Sequence, residues 1–399
     1  MSIQVTVPSA HSTTVTLTYD SGANALLAQY VASAIQNGIS NTATIVPFVN
    51  PTLGPIPTEA PGKVGELVLT SSPVGMLNLP KGYDYLVDAA ITAANVTDAN
   101  VDSGQEILVG SGNLVFSASA GSGSVIGGGG TDQIGVPASN AGSWLIALGG
   151  GNDTVRTLGS GADTINLGSG HNIVATSGAT TINGFSGGPG AETVTASGTS
   201  SDWINGNSSN LLFIAGLGAT VFGGSGSDTI QGGTGPDYFQ GGSAGNNSIV
   251  AGSGAATLFG GGSGDQLFAH GVGAQSLTAA GGNETLYSAA GSDTLNGTVS
   301  GAHDTFVGGT GATTVTSSNS GNNLFQFVSV GASSATELVQ GLTDVSQIHL
   351  NMVGFGANNL SDVTTQNNNS GNLNVVLKDG TQVTFIGITG PLTSSNFPS

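Results

Sequence analysis

Acidic residues return through the middle of this chain at the same place in a beat of nine to ten residues, each followed by a residue that is most often Thr and then by an apolar one. The pattern reads DQI at Asp132, DTV at Asp153, DTI at Asp163, ETV at Glu192, DWI at Asp202, DTI at Asp228, DYF at Asp237, ETL at Glu284, DTL at Asp293 and DTF at Asp304. The best-preserved stretch, GGSGSDTIQGGTGPDYFQ at 223–240, holds two nine-residue units of the form G-G-x-G-x-D-x-apolar-x. Gly223, Gly224 and Gly226 lead to Asp228 in the first unit, and Gly232, Gly233 and Gly235 lead to Asp237 in the second. One carboxylate per glycine turn is the donor chemistry of a hard cation such as Ca2+, which takes about six to eight oxygens from carboxylates and carbonyls.

Composition favours the same partner. The chain has 399 residues with 4 basic and 23 acidic side chains, a net charge of −19, and no cysteine. Clustered Lys and Arg are what nucleic acid and anionic membrane surfaces require, so neither is an expected partner. No apolar run is long enough to span a bilayer. The N-terminus MSIQVTVPSAHSTTVTLTYD lacks the basic start and apolar core of a secretory signal peptide.

The beat dictates the elements that carry the acids. With 68 glycines and 38% apolar residues at a fixed period, the chain reads as ordered rather than low-complexity. Glycines supply tight turns, and the residues after the acid form a short strand whose middle side chain points inward. Two beats make one coil of a flattened solenoid with a parallel sheet on each side, and stability comes from stacking coils about 4.8 Å apart. The expected fold is all-β dominated: a parallel β-roll or β-solenoid over 106–316, a small N-terminal α+β domain at 1–105, and a β-rich C-terminal cap at 317–399. In the first part, NALLAQYVASAIQNGIS at 24–40 places Leu26, Leu27, Tyr30, Val31 and Ile35 near helical spacing, with Gly38 as the stop.

The units at 127–135, 148–156, 157–166, 223–231 and 232–240 resemble the calcium-binding nonapeptide repeats of the RTX (repeats-in-toxin) proteins. The tail, NNLFQFVSVGASSATELVQGLTDVSQIHLNMVGF followed by NLNVVLKDGTQVTFIGITGPLTSSNF, is similar to that family's C-terminal region. The resemblance implies Ca2+ as the bound ion and export by type I secretion machinery, with an uncleaved signal at the end of the chain. It also implies that each ion lies between a unit and the next but one. The metal residues expected on this basis are Asp132, Asp153, Asp163, Asp228, Asp237, Glu284, Asp293 and Asp304, with the turn glycines at 223, 224, 226, 232, 233 and 235.

That spacing can be tested within the chain. Asp153 faces Asn172, Asp163 faces Thr181, Asp228 faces Asn246 or Asn247, Asp237 faces Ala256 and Asp293 faces Thr313. Acid meets acid only at Asp132/Asp153 and Glu284/Asp304, so the pattern departs from a fully loaded calcium ladder. A few calcium sites are expected near 132–172, 223–247 and 284–304, with Thr, Asn and Ser satisfying the other turns by side-chain hydrogen bonds to the backbone.

Catalytic constellations are weak by comparison. There is no H-E-x-x-H, and His11, His171, His270, His303 and His349 are scattered. GFSGG at 184–188 and GGSAG at 241–245 match a nucleophile elbow only as glycine-rich chance matches inside the repeat. Asp84, Asp88, Asp98, Asp102 and Glu106 could supply a carboxylate pair for sugar chemistry, although a polar face or a loop is the simpler reading. Thr154, Thr164, Thr193, Thr229, Thr285, Thr294 and Thr305 form a column suited to ice or glycan. Gln133, Trp203 and Tyr238 interrupt it, and Thr is in any case a good strand residue.

The sequence therefore reads as a secreted, non-enzymatic protein of the bacterial surface or extracellular matrix that self-assembles with calcium. A polysaccharide hydrolase or lyase and a carbohydrate- or ice-binding adhesin are the alternatives. Expected partners are further copies of itself, the type I secretion machinery and a cell-surface polysaccharide.

Overall fold

The computed structural model describes all residues except 1, 10–12, 50–54, 72–74, 91, 99–103, 185–189, 208–209, 298–302, 319–321, 330, 332–334 and 399. His11, Asp102 and all but Gly184 of the GFSGG match lie outside the described residues. The chain divides into two units, Met1–Ser209 and Asn210–Ser399. Each is a parallel β-solenoid, with a front and a back sheet facing each other across a narrow core.

In the first unit, β1 (Ile3–Pro8) and β2 (Thr14–Tyr19) form an antiparallel hairpin, followed by α1 (Gly22–Asn37). The coils then begin with β3 (Ile45–Val49), which pairs in parallel with β4 (Val64–Leu69). The front sheet continues through Tyr83–Asp88, Gln105–Val109, Gly123–Ile126, Trp144–Ala147, Asp163–Asn166, Thr180–Asn183 and Asp202–Asn207. The back sheet runs from Met76–Leu79 to Ala191–Ala196.

One apolar side chain per strand points into the core. Leu67, Leu86, Ile107, Val125, Ile146, Ile165, Ile182 and Ile204 make the front column; Val96, Phe116, Ile134, Val155, Val174 and Val194 face them. Each coil thus buries at least the two apolar residues that the nine-residue beat predicts, and some strands bury more, as Leu114 and Ala118 beside Phe116 and Val136 beside Ile134. Coil strands are also present among the described residues between 45 and 105, where the glycine beat is missing, because a coil strand needs only an inward apolar residue.

The hairpin and α1 cover the outside of the front sheet. Val68, Val87, Leu108 and Ile126 stand on its outer face and join a second core with Val5, Val7, Leu17 and Tyr19 of the hairpin and Ala28, Val31, Ala32 and Ile35 of α1. Beyond Ala147 this outer column turns to Asn166 and Asn183, whose side chains hydrogen-bond at 2.9 Å. The switch from branched aliphatics to asparagine marks where the covering ends.

The buried face of α1 takes Val31 and Ile35 of the residues that spacing singles out and leaves Leu26 and Tyr30 outside. Leu26 and Tyr30 are 69% and 78% exposed, while Ala25, Ala28, Val31, Ala32 and Ile35 are buried. Small residues let the helix approach a sheet already lined by bulky Val, Leu and Ile. Gly38 does not end the helix in a left-handed turn: its φ is −61°, and the chain continues as a π-turn over Gly38–Thr42 to a left-handed Ala43. Glycine is needed there for space, since a Cβ would lie 2.3 Å from the Ile45 side chain.

In the second unit, Val221, Phe239, Leu258, Leu277, Leu295, Val315 and Val339 form the front column. Phe213, Ile230, Ile249, Leu267, Leu286, Phe306, Phe325 and Leu350 form the back one. Coil pairing therefore continues past 316 to His349–Val353. The closing element is an antiparallel meander of Val363–Asn369, Asn372–Leu377 and Gln382–Phe385, the last strand lying parallel to Thr336–Gln340. An ion pair between Lys378 and Asp362 (2.7 Å) ties it down.

Turn glycines hold the coils at stacking distance. At Gly151, φ is +145° and a Cβ would lie 1.5 Å from the Gly130 carbonyl oxygen of the coil before. Gly151→Ala is expected to lower the melting temperature strongly, since both the backbone conformation and the stacking are lost. Gly129→Ala, where no atom lies within 4 Å of the new methyl group, should stay within about 0.5 kcal/mol of the parent. Thermal denaturation of the two variants side by side checks this contrast.

Candidate metal centre

The acid of each beat lies at the mouth of a strand, and its side chain turns into the coil rather than out to solvent. Asp132, Asp153, Asp163, Asp228, Asp237, Glu284, Asp293 and Asp304 are all buried. A buried carboxylate needs a partner, and the partner is the backbone of the preceding coil. Leu114 N–H donates to Asp132 (2.8 Å), Asp132 N–H to Asp153 (2.9 Å), and Asp153 N–H to Asn172 (3.1 Å). The same relay recurs in the second unit. Leu211 donates to Asp228, Asp228 to Asn247, Asn247 to Asp265, Glu284 to Asp304, and Asp304 to Asn323, all at 2.8–3.1 Å. Asp163, Asp237 and Asp293 act likewise on the opposite edge, toward Trp144, Ala219 and Gln275.

The first task of the beat is therefore to cap the strand before it. Asn172, Asn247 and Asn323 do this with an amide oxygen, which explains why asparagine stands in the acidic column without breaking the fold.

The second carboxylate oxygen separates two kinds of position. At Asp228 it accepts from Gly224 N–H (3.2 Å), at Asp237 from Gly252 N–H (3.1 Å), and at Asp293 from Ala289 N–H (2.7 Å). Both oxygens of these side chains are thus taken up by the backbone. Oδ2 of Asp153, Oε2 of Glu284 and Oδ2 of Asp304 are instead buried without a hydrogen-bond partner, as is Oδ2 of Asp163. The first three belong to the places where acid meets acid, Asp132/Asp153 and Glu284/Asp304, whereas Asp163 stands opposite Thr180.

Register in the structure matches the in-line reading at Asp153/Asn172, Asp237/Ala256 and Asp293/Thr313, and resolves Asp228 onto Asn247. At Asp163 the partner is Thr180, one residue earlier than the sequence count gave, because the turn before that strand is shorter than a full unit.

Burial raises many of these acids, Asp202 and Asp237 to about 6 among them, and at Asp132 and Glu284 neighbouring carboxylates add to it. Burial pushes Asp132 up to about 7 against the pull of the Leu114 amide, and Asp153 and Asp88 add to the rise. Burial likewise raises Asp153 to about 6, with Asp20 contributing. Glu284 rises to about 7 through burial, with Asp265 and Asp304 adding to it. Like charges held close in a poorly solvated turn are destabilising unless a proton or a cation joins them.

Oxygen-only donors, unpartnered buried carboxylate oxygens and adjacent like charges fit calcium. Among the described residues no three acidic or histidine side chains converge as a ready-made cage, so turn carbonyls must supply the remaining ligands. Gly224 and Gly233, two expected turn positions, already accept from Ser243 and Ser253 (2.8 and 2.9 Å) through their carbonyls. Gly223 and Gly232 make room for the acids, since a Cβ on either would lie 2.2 Å from the carboxylate of Asp228 or Asp237. Gly235 donates its N–H to Leu217 (2.9 Å), and Gly226 faces Gly242 of the next coil.

Two residues escaped the sequence reading. Asp265 follows GGGSG without the intervening residue that the nonapeptide template requires, although its DQL obeys the acid–polar–apolar rule. Asp20 lies outside the repeat, and only the docking of the hairpin brings its carboxylate onto the Gly150 amide. Asn24 beside it donates to the carbonyls of Gly127 and Ala147 (2.9 and 3.2 Å).

The enzymatic candidates are not assembled into a site. Asp88 and Asp98 are fully buried, Asp88 accepts from Ala90 N–H (2.9 Å), and Glu106 accepts from the Ser124 hydroxyl. Ser243 of GGSAG lies in a turn between two strands, not between a strand and a helix.

A profile of the RTX calcium-binding nonapeptide repeat matches the chain in four copies, at residues 145–174, 222–244, 242–271 and 278–315. No curated protein and no solved structure shows significant similarity to it. The matched segments contain Asp153, Asp163, Asp228, Asp237, Asp265, Glu284, Asp293 and Asp304, the same acids that cap the coils.

Proposed function

We propose that this RTX calcium-binding repeat protein is a secreted structural component that self-assembles with calcium into a layer, filament or matrix at the bacterial surface. One observation carries the reading: within each unit the back sheet has an outermost strand paired on one side only. Met76–Leu79 pairs with Ala94–Asp98, and His349–Val353 pairs with Leu324–Val328, and among the described residues neither has a second neighbour. Such strands offer a row of backbone donors and acceptors to another chain. A net charge of −19 holds free molecules apart until cations reduce it.

Calcium would be held at Asp132/Asp153 and at Glu284/Asp304 with Asp265 adjacent, where it would neutralise the like charges that burial leaves opposed. Asp228, Asp237 and Asp293, with both oxygens on backbone amides, serve chiefly as backbone caps. Export by type I secretion through the tail remains part of this proposal, as does the division into an assembly domain, a repeat and a C-terminal cap.

Electron microscopy and sedimentation of the purified full chain, in millimolar calcium and in chelator, test the reading. Ordered polymers in calcium that dissolve in chelator are expected. A monomer under both conditions would sink the proposal.

A further inference from the structure

The outer face of the front sheet in the second unit carries a feature that neither the caps nor the acid pairs explain. Phe222, Tyr238 and Phe259 stand there side by side, with ring centroids 5.9 and 5.6 Å apart and interplanar angles of 52° and 50°. Tyr238 is 38% exposed. Aromatic rings left on an outer sheet face contribute nothing to the coil core, whose front column is Val221, Phe239 and Leu258.

The surface next to the rings changes character. In register after Tyr238 come Thr257, Ser276 and Thr294, a ladder of hydroxyls at the coil spacing of about 4.8 Å. These three help to line a concavity of about 380 Å³ together with Pro236, Gln275 and the buried Asp237, whose carboxylate oxygens are held by backbone amides. The neighbouring column, in register after Phe259, runs Thr278, Asn296, Thr316 and Gln340. Gln340 donates to Thr316 (3.0 Å). From Ala219–Gly224 to Thr336–Gln340 neither outward column holds a charged residue, although the chain as a whole carries −19.

We infer that this face binds a neutral polysaccharide, its chain lying along the stacked coils. Charge complementarity selects the ligand: an uncharged face on a strongly acidic protein neither repels a neutral chain nor offers a counter-charge to a uronate or sulfated one. The exposed Tyr238 ring offers a stacking surface to the flat C–H face of a β-linked pyranose, with Phe222 and Phe259 inclined on either side. The Thr, Ser, Asn and Gln ladders match its hydroxyls at a spacing on the scale of one sugar residue. The inference is independent of self-assembly through the back-sheet edges, because it uses the opposite sheet.

Co-sedimentation of the calcium-loaded full chain with insoluble cellulose, and affinity electrophoresis in soluble galactomannan and in alginate, test it. Retention by the neutral polymers and not by alginate is expected. Tyr238→Ala should weaken that retention about tenfold, an effect on the scale of one lost stacking contact. Thr294→Val, which keeps the side-chain volume, should weaken it less, and Tyr287→Ala on the back sheet should leave it unchanged. Absence of retention by the parent protein on both neutral polymers overturns the inference, as does undiminished retention of a folded Tyr238→Ala. If Tyr238→Ala instead abolishes polymer formation while the parent ignores glycans, the face is a contact between copies and the inference falls. A parent protein that stays monomeric in calcium with glycan retention intact would overturn only the assembly reading.

Discussion

Freed of calcium, the protein is expected to be most stable in acid and to weaken steadily as the pH rises through 6 to 8. The sign follows from the direction of the shifts. Burial holds Asp153 at about 6, Asp132 and Glu284 at about 7, and Glu337 at about 8, all above the ordinary carboxylate range. An acid whose folded value is raised binds its proton more tightly in the folded state. Its contribution is therefore fully present below about pH 4 and is lost as the pH climbs through the folded value. Each raised group costs on the order of a few kcal/mol at alkaline pH.

Calcium reverses the trend, because its ligands must be deprotonated and it binds the folded turns. Thermal denaturation at pH 4.5, 6 and 7.5, in chelator and in millimolar calcium, measures both halves. The melting temperature in chelator should fall by about 10 °C or more across this range, several kcal/mol on the usual scale for a domain of this size. Calcium should restore it at pH 7.5 and do little at pH 4.5. A melting temperature in chelator that holds level or rises with pH would remove the buried acids from the account.

The second large effect separates the two tasks of one side chain. Asp153 accepts the Asp132 N–H through Oδ1, while its Oδ2 has no hydrogen-bond partner. Asp153→Asn keeps the first task and removes the charge beside Asp132 and Asp20. In chelator at pH 7.5 it should therefore raise stability by about 1–3 kcal/mol, the scale of one relieved buried charge. In calcium it should lose most of the parent's gain at that site. Asp153→Ala leaves the buried Asp132 amide without an acceptor and should cost about 1–3 kcal/mol under both conditions. Asn172, one coil later in the same column, shows that the amide is tolerated there. Chemical denaturation with and without calcium gives the sign of each change. Equal losses for Asn and Ala would mean that Asp153 is only a cap.

Much of this was already legible in the chain. A side chain's place inside or outside a coil depends on its position in a two-residue alternation, which neighbours in sequence fix. The apolar residue after each acid accordingly predicted Ile134, Val155, Ile165, Ile230, Phe239, Leu286 and Phe306 as core. Counting two units ahead also placed Asp132 against Asp153 and Glu284 against Asp304. The count slipped at Asp163, where a short turn shifts the register, and it passed over Asp265, where one turn residue is missing.

What the repeat itself determined was therefore the coil: its two sheets, its inward columns, and the acids at each strand's mouth, all set by local periodicity. Tertiary structure alone decided what lies against the coil. Spacing put Leu26, Tyr30, Val31 and Ile35 forward alike, yet the helix turned Val31, Ile35 and its alanines to the side of Val68, Val87, Leu108 and Ile126 and left Leu26 and Tyr30 exposed. The same docking carried Asp20 onto the turn at Gly150, beside Asp153 and far from it in sequence. Whether a carboxylate is a backbone cap or a metal ligand also depends on which groups reach its second oxygen. Those groups belong to neighbouring turns, beyond the reach of any nine-residue count.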